Sequence, residues 1–302
     1  WIPQLWPGGI CAVEIGESAF IGCPSLTSVK IPNTVVSIGP SAFRETGLTS
    51  VVIPCSFGTE AFAKCEKLTS VIIEDGISTI ERGSFIGCSS LKTISLPSSV
   101  RYILDGAFAS CTSLSSVSIQ DGVVLIKEGA FTKCTALTSI TIPNSVEILE
   151  RNAFMYCENL TTVKLSDRIK NIYGYTFDNC KSLMSIKIPD SVTAIAESAF
   201  GYCRDLKSVE IPNSVIQIDK EAFQYCSNLR SITIPSSVER IGENAFRASA
   251  PEIHVKATKP PYVSYPGLGE GNSWRTLYVP IGYKNTYQNN SSWEGFKEYI
   301  EE

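Results

Sequence analysis

The chain has 302 residues, of which 43% are hydrophobic and 19% charged, and its formal net charge is −4. Its length suits one large domain or two ordinary ones, and its apolar share is sufficient for a folded core. The acidic balance argues against a nucleic-acid partner, because phosphate recognition needs a basic face. No apolar run approaches the length of about 20 residues that a membrane helix needs, so we expect no membrane insertion within this chain.

The chain begins with a partial repeat and then becomes periodic. Residues 1–19 contain "WIPQLWPGG" and the fragment "CAVEIGESAF", which we interpret as a partial repeat that serves as an N-terminal cap. From there to residue 250 a phenylalanine recurs every 23 residues, with one interval of 19 residues between Phe43 and Phe62. A period of this length is typical of repeat architectures. The series is Phe20, Phe43, Phe62, Phe85, Phe108, Phe131, Phe154, Phe177, Phe200, Phe223 and Phe246.

Each unit of the period predicts one short strand that ends at a turn. In the unit after Phe200, Leu206 is followed by the alternating apolar residues Val209 and Ile211 and then by Pro212. The alternation predicts a strand, and proline ends it because it lacks an N–H for the ladder. We expect the Ala-Phe segments to form a short helical turn outside the strands. A single unit cannot bury its apolar side, so the units must stack into a predominantly β, α/β repeat solenoid.

The repeated unit resembles a known family. The pattern I-x-x-x-A-F-x-x-C-x-x-L-x-x-V-x-I-P-x-S-V-x-x-I is similar to the BspA-like class of leucine-rich repeats, over about residues 11 to 250. The resemblance implies a curved, right-handed leucine-rich repeat solenoid with a strand-lined concave face. It also implies a secreted or cell-surface bacterial protein that binds or adheres. The chain starts at Trp1 without a signal peptide, which we expect processing to have removed.

Nine of the eleven cysteines form one column, three residues after the phenylalanine. Thr46 and Ser249 fill this position in two units, and Cys11 and Cys55 lie outside it. A metal site would need clustered ligands, and stacked side chains that point the same way cannot all form disulfides. We therefore interpret the column as a packing ladder of buried free thiols. Its members are Cys23, Cys65, Cys88, Cys111, Cys134, Cys157, Cys180, Cys203 and Cys226.

Two columns of the predicted strands point away from the core, because alternate residues of a strand face opposite sides. Both columns are rich in serine and threonine, which is typical of a solvated sheet surface. Lys164, Lys187 and Glu210 are charged residues that stand in these columns on three successive units. We regard them as candidate ligand-binding positions.

A second candidate surface lies two residues after the phenylalanine, where Tyr156, Tyr202 and Tyr225 recur and Asn179 interrupts the series. Tyrosine offers rigid contact area with a polar tip, which favours a binding surface. Packing over a neighbouring turn explains the same residues, so both interpretations stay open.

The short unit between Phe43 and Phe62 omits most of its second aliphatic segment. We expect a notch or a change of curvature at residues 55–58, with Phe57 filling part of the missing segment.

The period decays after residue 250, and residues 251–302 are predicted to form a C-terminal cap. "RTLYVP" predicts a strand, and "SSWEGFKEYIEE" predicts an amphipathic helix with Trp293, Phe296 and Ile300 facing inward. The only histidine, His254, lies in the alternating segment "EIHVKA" and is predicted to be an ordinary strand residue.

No motif for catalysis, phosphate binding or a cofactor is present. Asp-Gly pairs at 75–76 and 121–122 fall at predicted turns, which favours a turn over a calcium site. We therefore expect a non-enzymatic binding or adhesion module without a cofactor, with a host or microbial surface protein or glycan as partner. The alternative is a structural spacer of a larger surface protein, with no ligand of its own.

Overall fold

In the structure, a computed structural model, each repeat from Phe43 to Phe246 forms one coil with a tight turn and two short strands, where the sequence predicted one strand, and the repeat of Phe20 has a single strand. The structure describes residues 13–264, 267–269 and 272–302, so Cys11 and "WIPQLWPGG" lie outside the described residues. The described residues belong to two units, Trp1–Ile148 (unit 1) and Leu149–Glu302 (unit 2). Each unit is a predominantly β solenoid, which confirms the predicted fold class.

The strands of unit 1 stack in parallel from coil to coil. The register pairs Val51 with Val71 and Ile94 with Val117, so the predicted strands align apolar residue on apolar residue. A second, shorter strand in each coil pairs Ile80 with Ile103. The strands are β1 (Val13–Ile15), β2 (Val35–Ile38), β3 (Ser50–Ile53), β4 (Ser56–Phe57), β5 (Ser70–Ile73), β6 (Thr79–Ile80), β7 (Thr93–Ser95), β8 (Tyr102–Ile103), β9 (Ser116–Ser118), β10 (Leu125–Ile126), β11 (Ser139–Thr141) and, at the end of the unit, β12 (Ile148–Leu149).

Unit 2 repeats this arrangement. Ile186 pairs with Val209 in the first strands, and Ile172, Ile195 and Ile218 align in the second strands. The elements are β13 (Thr162–Lys164), β14 (Asn171–Ile172), β15 (Ser185–Lys187), β16 (Ala194–Ile195), β17 (Ser208–Glu210), β18 (Gln217–Ile218), β19 (Ser231–Ile234), β20 (Arg240–Ile241), β21 (Glu252–Val255), β22 (Tyr262–Val263), β23 (Thr276–Val279), α1 (Lys284–Gln288) and β24 (Glu298–Glu301).

The phenylalanine turn is not the short helix that we expected. In every coil the residues two before and two after the phenylalanine have left-handed backbone angles, as at Ser198 (φ 49) and Tyr202 (φ 57). Alternate N–H groups therefore point to the next coil instead of along the chain. The N–H of Phe200 donates to the carbonyl of Ala222 at 2.9 Å, and that of Tyr202 donates to Gln224 at 2.8 Å. The turn thus forms a third ladder of hydrogen bonds between coils.

The core of both units is a stack of phenylalanine rings. In unit 2 the ring centroids of consecutive coils lie between 5.2 and 5.7 Å apart, and in unit 1 between 5.1 and 5.6 Å. The rings from Phe43 to Phe246 are buried. A separation of this size is within the range of favourable aromatic pairs, so the stack holds neighbouring coils at the spacing of their strands.

The cysteine column joins the coils beside this stack. The thiol of Cys203 donates to the carbonyl of Phe177, in the preceding coil, at 3.2 Å, and the thiol of Cys226 donates to that of Phe200 at 3.1 Å. The Phe200 carbonyl also accepts the N–H of Cys203 at 3.3 Å. One carbonyl therefore receives two donors, one from its own coil and one from the next. Cys88, Cys111, Cys134 and Cys180 make the same thiol contact.

The ten cysteines among the described residues are free, and eight of them are buried. Burial raises the pKa of the Cys111 thiol to about 12 and that of Cys203 well above its usual range. Such thiols are neutral at physiological pH and are poor nucleophiles. The interpretation of the column as an inert packing ladder is confirmed for these buried members, whereas Cys23 is exposed and Cys55 is half-buried.

The short unit preserves the stack and changes the second strand. The rings of Phe43 and Phe62 remain 5.4 Å apart and nearly parallel. Phe57, on β4, is buried and pairs in register with Ile38, so the expectation that it fills the missing segment is confirmed. Among the described strands, β1, β2 and β4 form one sheet, and the next second strand, β6, starts another.

The last coil ends on a buried arginine. Phe246 is followed by no cysteine in the next coil, and Arg275 donates to its carbonyl instead, at 2.5 Å. Arg275 also donates to Asn272 at 3.0 Å and is fully buried. Burial lowers the pKa of Arg275 to about 10. The guanidinium therefore takes the place of the thiol where the ladder stops.

The prediction of a helix over "SSWEGFKEYIEE" is wrong. Residues 298–301 form β24, which pairs in parallel with β23, and the short helix α1 lies earlier. Gly295 has a left-handed backbone angle (φ 78) that interrupts a helix. Trp293 and Phe296 are buried as expected, but Ile300 is partly exposed. No helix in the described part of the chain is long and apolar enough to cross a membrane.

The thiol ladder predicts how the cysteines react. With Ellman's reagent on the native protein, we expect Cys23 to react fast, Cys55 more slowly, and the eight buried thiols only after unfolding in guanidinium. Peptide mapping by mass spectrometry assigns each site. Fast native labelling of Cys88, Cys111 or Cys203 would contradict the buried ladder.

The arginine at the end of the ladder is predicted to be essential for the last coil. Arg275→Ala removes the donor that reaches the Phe246 carbonyl from the next coil and opens a cavity, although the hydroxyl and N–H of Ser249 still donate to that carbonyl. We expect a loss of about 2 kcal/mol or more in the free energy of unfolding. Urea unfolding followed by tryptophan fluorescence measures the change. Lys297→Ala, at an exposed position, is the control and should change stability by less than about 0.5 kcal/mol. Equal unfolding midpoints for both variants would refute the role of Arg275.

Candidate binding surfaces

The two predicted sets of candidate residues lie on different faces of unit 2. Lys164, Lys187 and Glu210 stand on the first strands, whereas the three tyrosines stand on the phenylalanine turns. The structure does not bring the two sets together into one site.

The strand face carries an exposed charged group. Lys187 and Glu210 are paired in register on β15 and β17, and Lys164 occupies the equivalent position on β13. All three side chains are exposed, and within the described residues none forms an ion pair or side-chain hydrogen bond. The surrounding serine and threonine residues are small, so this face has charges but little contact area.

Further along the same face lies an aromatic pair that sequence reasoning missed. The ring of His254 stacks on that of Tyr278 with centroids 4.1 Å apart, and the two residues are register partners on β21 and β23. The Nδ1 atom of His254 lies 3.0 Å from the Oε2 atom of Glu302, and Lys256 donates a hydrogen bond to the Oε1 atom of the same carboxylate at 2.7 Å. These contacts, with the Lys256 bond as the largest cause, lower the pKa of Glu302. His254 is a strand residue, as predicted.

The turn face contains an aromatic stack. The rings of Tyr202 and Tyr225 lie 4.8 Å apart at an angle of 20°, and the guanidinium carbon of Arg247 lies 5.5 Å from the centre of the Tyr225 ring. Both tyrosines are half-exposed. Tyr156 makes no ring contact within the described residues. The structure thus narrows the predicted patch to Tyr202 and Tyr225 and adds Arg247 to it; these three residues are called the tyrosine stack.

The tyrosines occupy backbone positions that do not favour them. Tyr202 and Tyr225 have φ angles of 57° and 55°, and Tyr175, on the other side of its phenylalanine, has 59°. A left-handed conformation is uncommon for a bulky residue. In unit 1 the column of Tyr202 holds other residue types, namely Gly22, Glu45, Lys64, Gly87, Ser110 and Lys133. The turn itself therefore does not require tyrosine.

A buried carboxyl group lies in the same turns. Asp178 is 5% exposed and accepts a hydrogen bond from the side chain of Asn179 at 2.8 Å. A Cβ atom at Gly201 would lie 2.5 Å from an Asp178 carboxylate oxygen, so glycine makes room for this side chain. Burial raises the pKa of Asp178 from 3.8 to about 6, the Asn179 bond lowers it, and the charge of Glu221 raises it.

Metal chemistry finds no support in the described residues, where no group of three or more histidine, cysteine, aspartate or glutamate side chains is placed to hold an ion. The predicted turn at Asp121-Gly122 is present, and Gly122 has a left-handed angle (φ 121).

Parallel strand ladders, a leucine that recurs once per coil and is buried from Leu48 to Leu229, and a period of 23 residues define a leucine-rich repeat solenoid. The family model described as "BspA type Leucine rich repeat region" matches six copies, over residues 13–137 and 125–252. The chain belongs to this family.

Solved structures of bacterial proteins share the fold. A leucine-rich repeat protein from Bacteroides ovatus is 28% identical, with a TM-score of 0.77, over 94% of this chain and 75% of that chain. A leucine-rich repeat protein from Eubacterium ventriosum, 21% identical with a TM-score of 0.57, covers 78% of this chain and 67% of its own. No curated protein matches the chain.

The buried carboxyl predicts a dependence of stability on pH. Because the pKa of Asp178 is higher in the folded state, about 6, than the 3.8 of an exposed carboxyl, the folded state binds more protons between these values. The free energy of unfolding then falls as the pH rises from 4 to 6, by about 2–3 kcal/mol.

We expect Asp178→Asn to be more stable than the native protein at pH 7.5 by about 2 kcal/mol, and the difference to vanish near pH 4. Urea unfolding at a series of pH values measures both. Asp190→Asn, at an exposed turn, is the matched control. A constant difference between Asp178→Asn and the native protein across this pH range would disprove the assignment.

Proposed function

We propose that the chain is a non-enzymatic binding module of a secreted or cell-surface protein, and that it recognises a protein or glycan partner through the tyrosine stack. The observation that carries the proposal is the contact of Tyr202, Tyr225 and Arg247 on one half-exposed face. The location at the surface rests on the family, a group of bacterial surface proteins.

The backbone of the turn supports this choice of face. A left-handed residue other than glycine costs of order 1 kcal/mol, and such costs persist where the surrounding structure enforces them. The turn hydrogen bonds enforce the angle, but they leave the side chain free to vary. The turn does not require tyrosine in these two successive units. We therefore attribute both tyrosines to contacts that their rings make at the protein surface.

The composition of the stack favours a protein partner over a glycan. Tyrosine and arginine dominate the residues that contribute most to protein–protein affinity, because they combine a rigid apolar area with polar tips. Tyr225 and Arg247 restrict each other, so less side-chain entropy is lost on binding. Acidic side chains on neighbouring turns, such as Glu221 and Glu243, supply a polar rim.

The alternative function is a structural spacer. It is supported by the first-strand face of unit 1, where Ser95, Ser116 and Ser118 present small, exposed side chains without a distinctive chemistry. A spacer needs only the stacked core.

The double variant Tyr202→Ala/Tyr225→Ala tests the proposal against an array of extracellular-matrix proteins and glycans. We expect saturable binding of the native chain to at least one protein and a loss of about tenfold or more in affinity in the variant, because buried tyrosines contribute about 2 kcal/mol at such sites. Circular dichroism checks that the fold is intact.

Lys164→Ala/Lys187→Ala on the strand face is the matched control and should bind like the native chain. If the lysine variant loses binding and the tyrosine variant does not, the partner uses the strand face and the proposed site is wrong. No binding across the whole array would favour the spacer.

A further inference from the structure

A cleft of ≈ 590 Å³ lies in unit 2, between the last regular coils and the C-terminal residues. Its volume falls within the about 300–1,000 Å³ that is typical of small-ligand sites. The cleft, called the C-terminal cleft, is lined by Ser236, Val238, Glu239, Arg240, Lys259, Pro260, Pro261, Tyr262, Asn290 and Ser292.

Two cations line this cleft without partners. Arg240 and Lys259 are both exposed, and within the described residues neither side chain forms a hydrogen bond or an ion pair. Glu239 is the single acid in the lining, so the lining carries one net positive charge in a chain of net charge −4. Both cations line the same concave site.

An aromatic ring stands beside the cations. Tyr262 is 59% exposed and is the register partner of Arg240 on the adjacent strand, β22. A ring that is exposed to this extent leaves its apolar face available for contact. Asn290, Ser292 and Ser236 add amide and hydroxyl groups that donate and accept hydrogen bonds.

The walls of the cleft are held by buried contacts. The indole N–H of Trp293, which is fully buried, donates to the carbonyl of Pro261 at 2.7 Å. The N–H of Tyr262 donates to the carbonyl of Glu239 at 2.9 Å, which ties the C-terminal wall to the preceding coil. The cleft is therefore formed before any ligand binds.

We propose that the C-terminal cleft binds an acidic saccharide, a sugar that carries carboxylate or sulfate groups. The planar guanidinium of Arg240 matches the two oxygens of such a group, and Lys259 adds a second charge. The ring of Tyr262 packs against the C–H face of the sugar. The amide and hydroxyl groups bind the sugar hydroxyls. The site is separate from the tyrosine stack and does not depend on the function proposed for it.

Isothermal titration of the full chain with three hexasaccharides tests the proposal. The probes are a hyaluronan hexasaccharide, which carries carboxylates, a heparin hexasaccharide, which also carries sulfates, and the neutral chitohexaose. We expect one or both acidic probes to bind at least about tenfold more tightly than chitohexaose, with an affinity that falls as salt rises. The two acidic probes distinguish carboxylate from sulfate as the preferred group.

Variants assign the binding to the cleft. We expect Arg240→Gln and Lys259→Gln each to weaken binding of the acidic probe about five- to tenfold and to reduce its salt dependence, and Tyr262→Ala to weaken it without changing the salt dependence. Arg230→Gln, an exposed arginine of the same unit outside the lining, is the matched control and should bind like the native chain. Tyr202→Ala/Tyr225→Ala should also leave this binding unchanged.

Three results would overturn the proposal. They are equal affinity for chitohexaose and the acidic probes, an affinity that Arg240→Gln and Lys259→Gln leave unchanged, and no binding of any probe at millimolar concentration.

Discussion

The carbonyl group of the phenylalanine is the point at which each coil is joined to the next, and much of the structure follows from how it is satisfied. It accepts the N–H of the cysteine in its own coil and the thiol of the cysteine in the following coil. Buried carbonyl groups with unused capacity are costly in a core made of apolar rings. A cysteine in each coil satisfies this group and also fills the space as a small apolar residue.

The exceptions in the column show why cysteine is favoured. The hydroxyl groups of Thr46 and Ser249 donate to the phenylalanine carbonyl of their own coil, at 2.8 and 2.9 Å, and do not reach the preceding coil. The longer bonds of sulfur allow the thiol to span the gap between coils. Where no cysteine follows, at Phe246, the long side chain of Arg275 reaches the carbonyl. Cysteine therefore differs from threonine and serine in this column because its donor extends beyond its own coil.

The period of the sequence was sufficient to predict the first strand of most coils, the core and the buried cysteines, because each of those columns holds similar residues for one physical reason. The second short strand of each coil was not predicted. The left-handed turn positions were missed because Gly, Ser, Lys and Tyr share them, and the common factor is a backbone angle and not a side chain. In the C-terminal segment the spacing of paired strands changes from Ser231 to Glu252 to Thr276 to Glu298. There the period no longer predicts pairing, and β24 was mistaken for a helix. The C-terminal cleft joins residues far apart in sequence, which no repeat pattern brings together.

The same ladder explains where this fold can acquire a function. Each coil depends on its neighbours through the phenylalanine ring, the thiol and the turn N–H groups, and none of these involves the side chains at the left-handed positions. Those side chains can change from glycine to tyrosine while the core stays the same, so a binding surface can evolve on the turns at small cost in stability. This independence of the turn side chains from the core is not complete, because the buried side chain of Asp178 requires glycine at position 201. At that place a polar group has entered the turn, and the surface and the core are no longer independent.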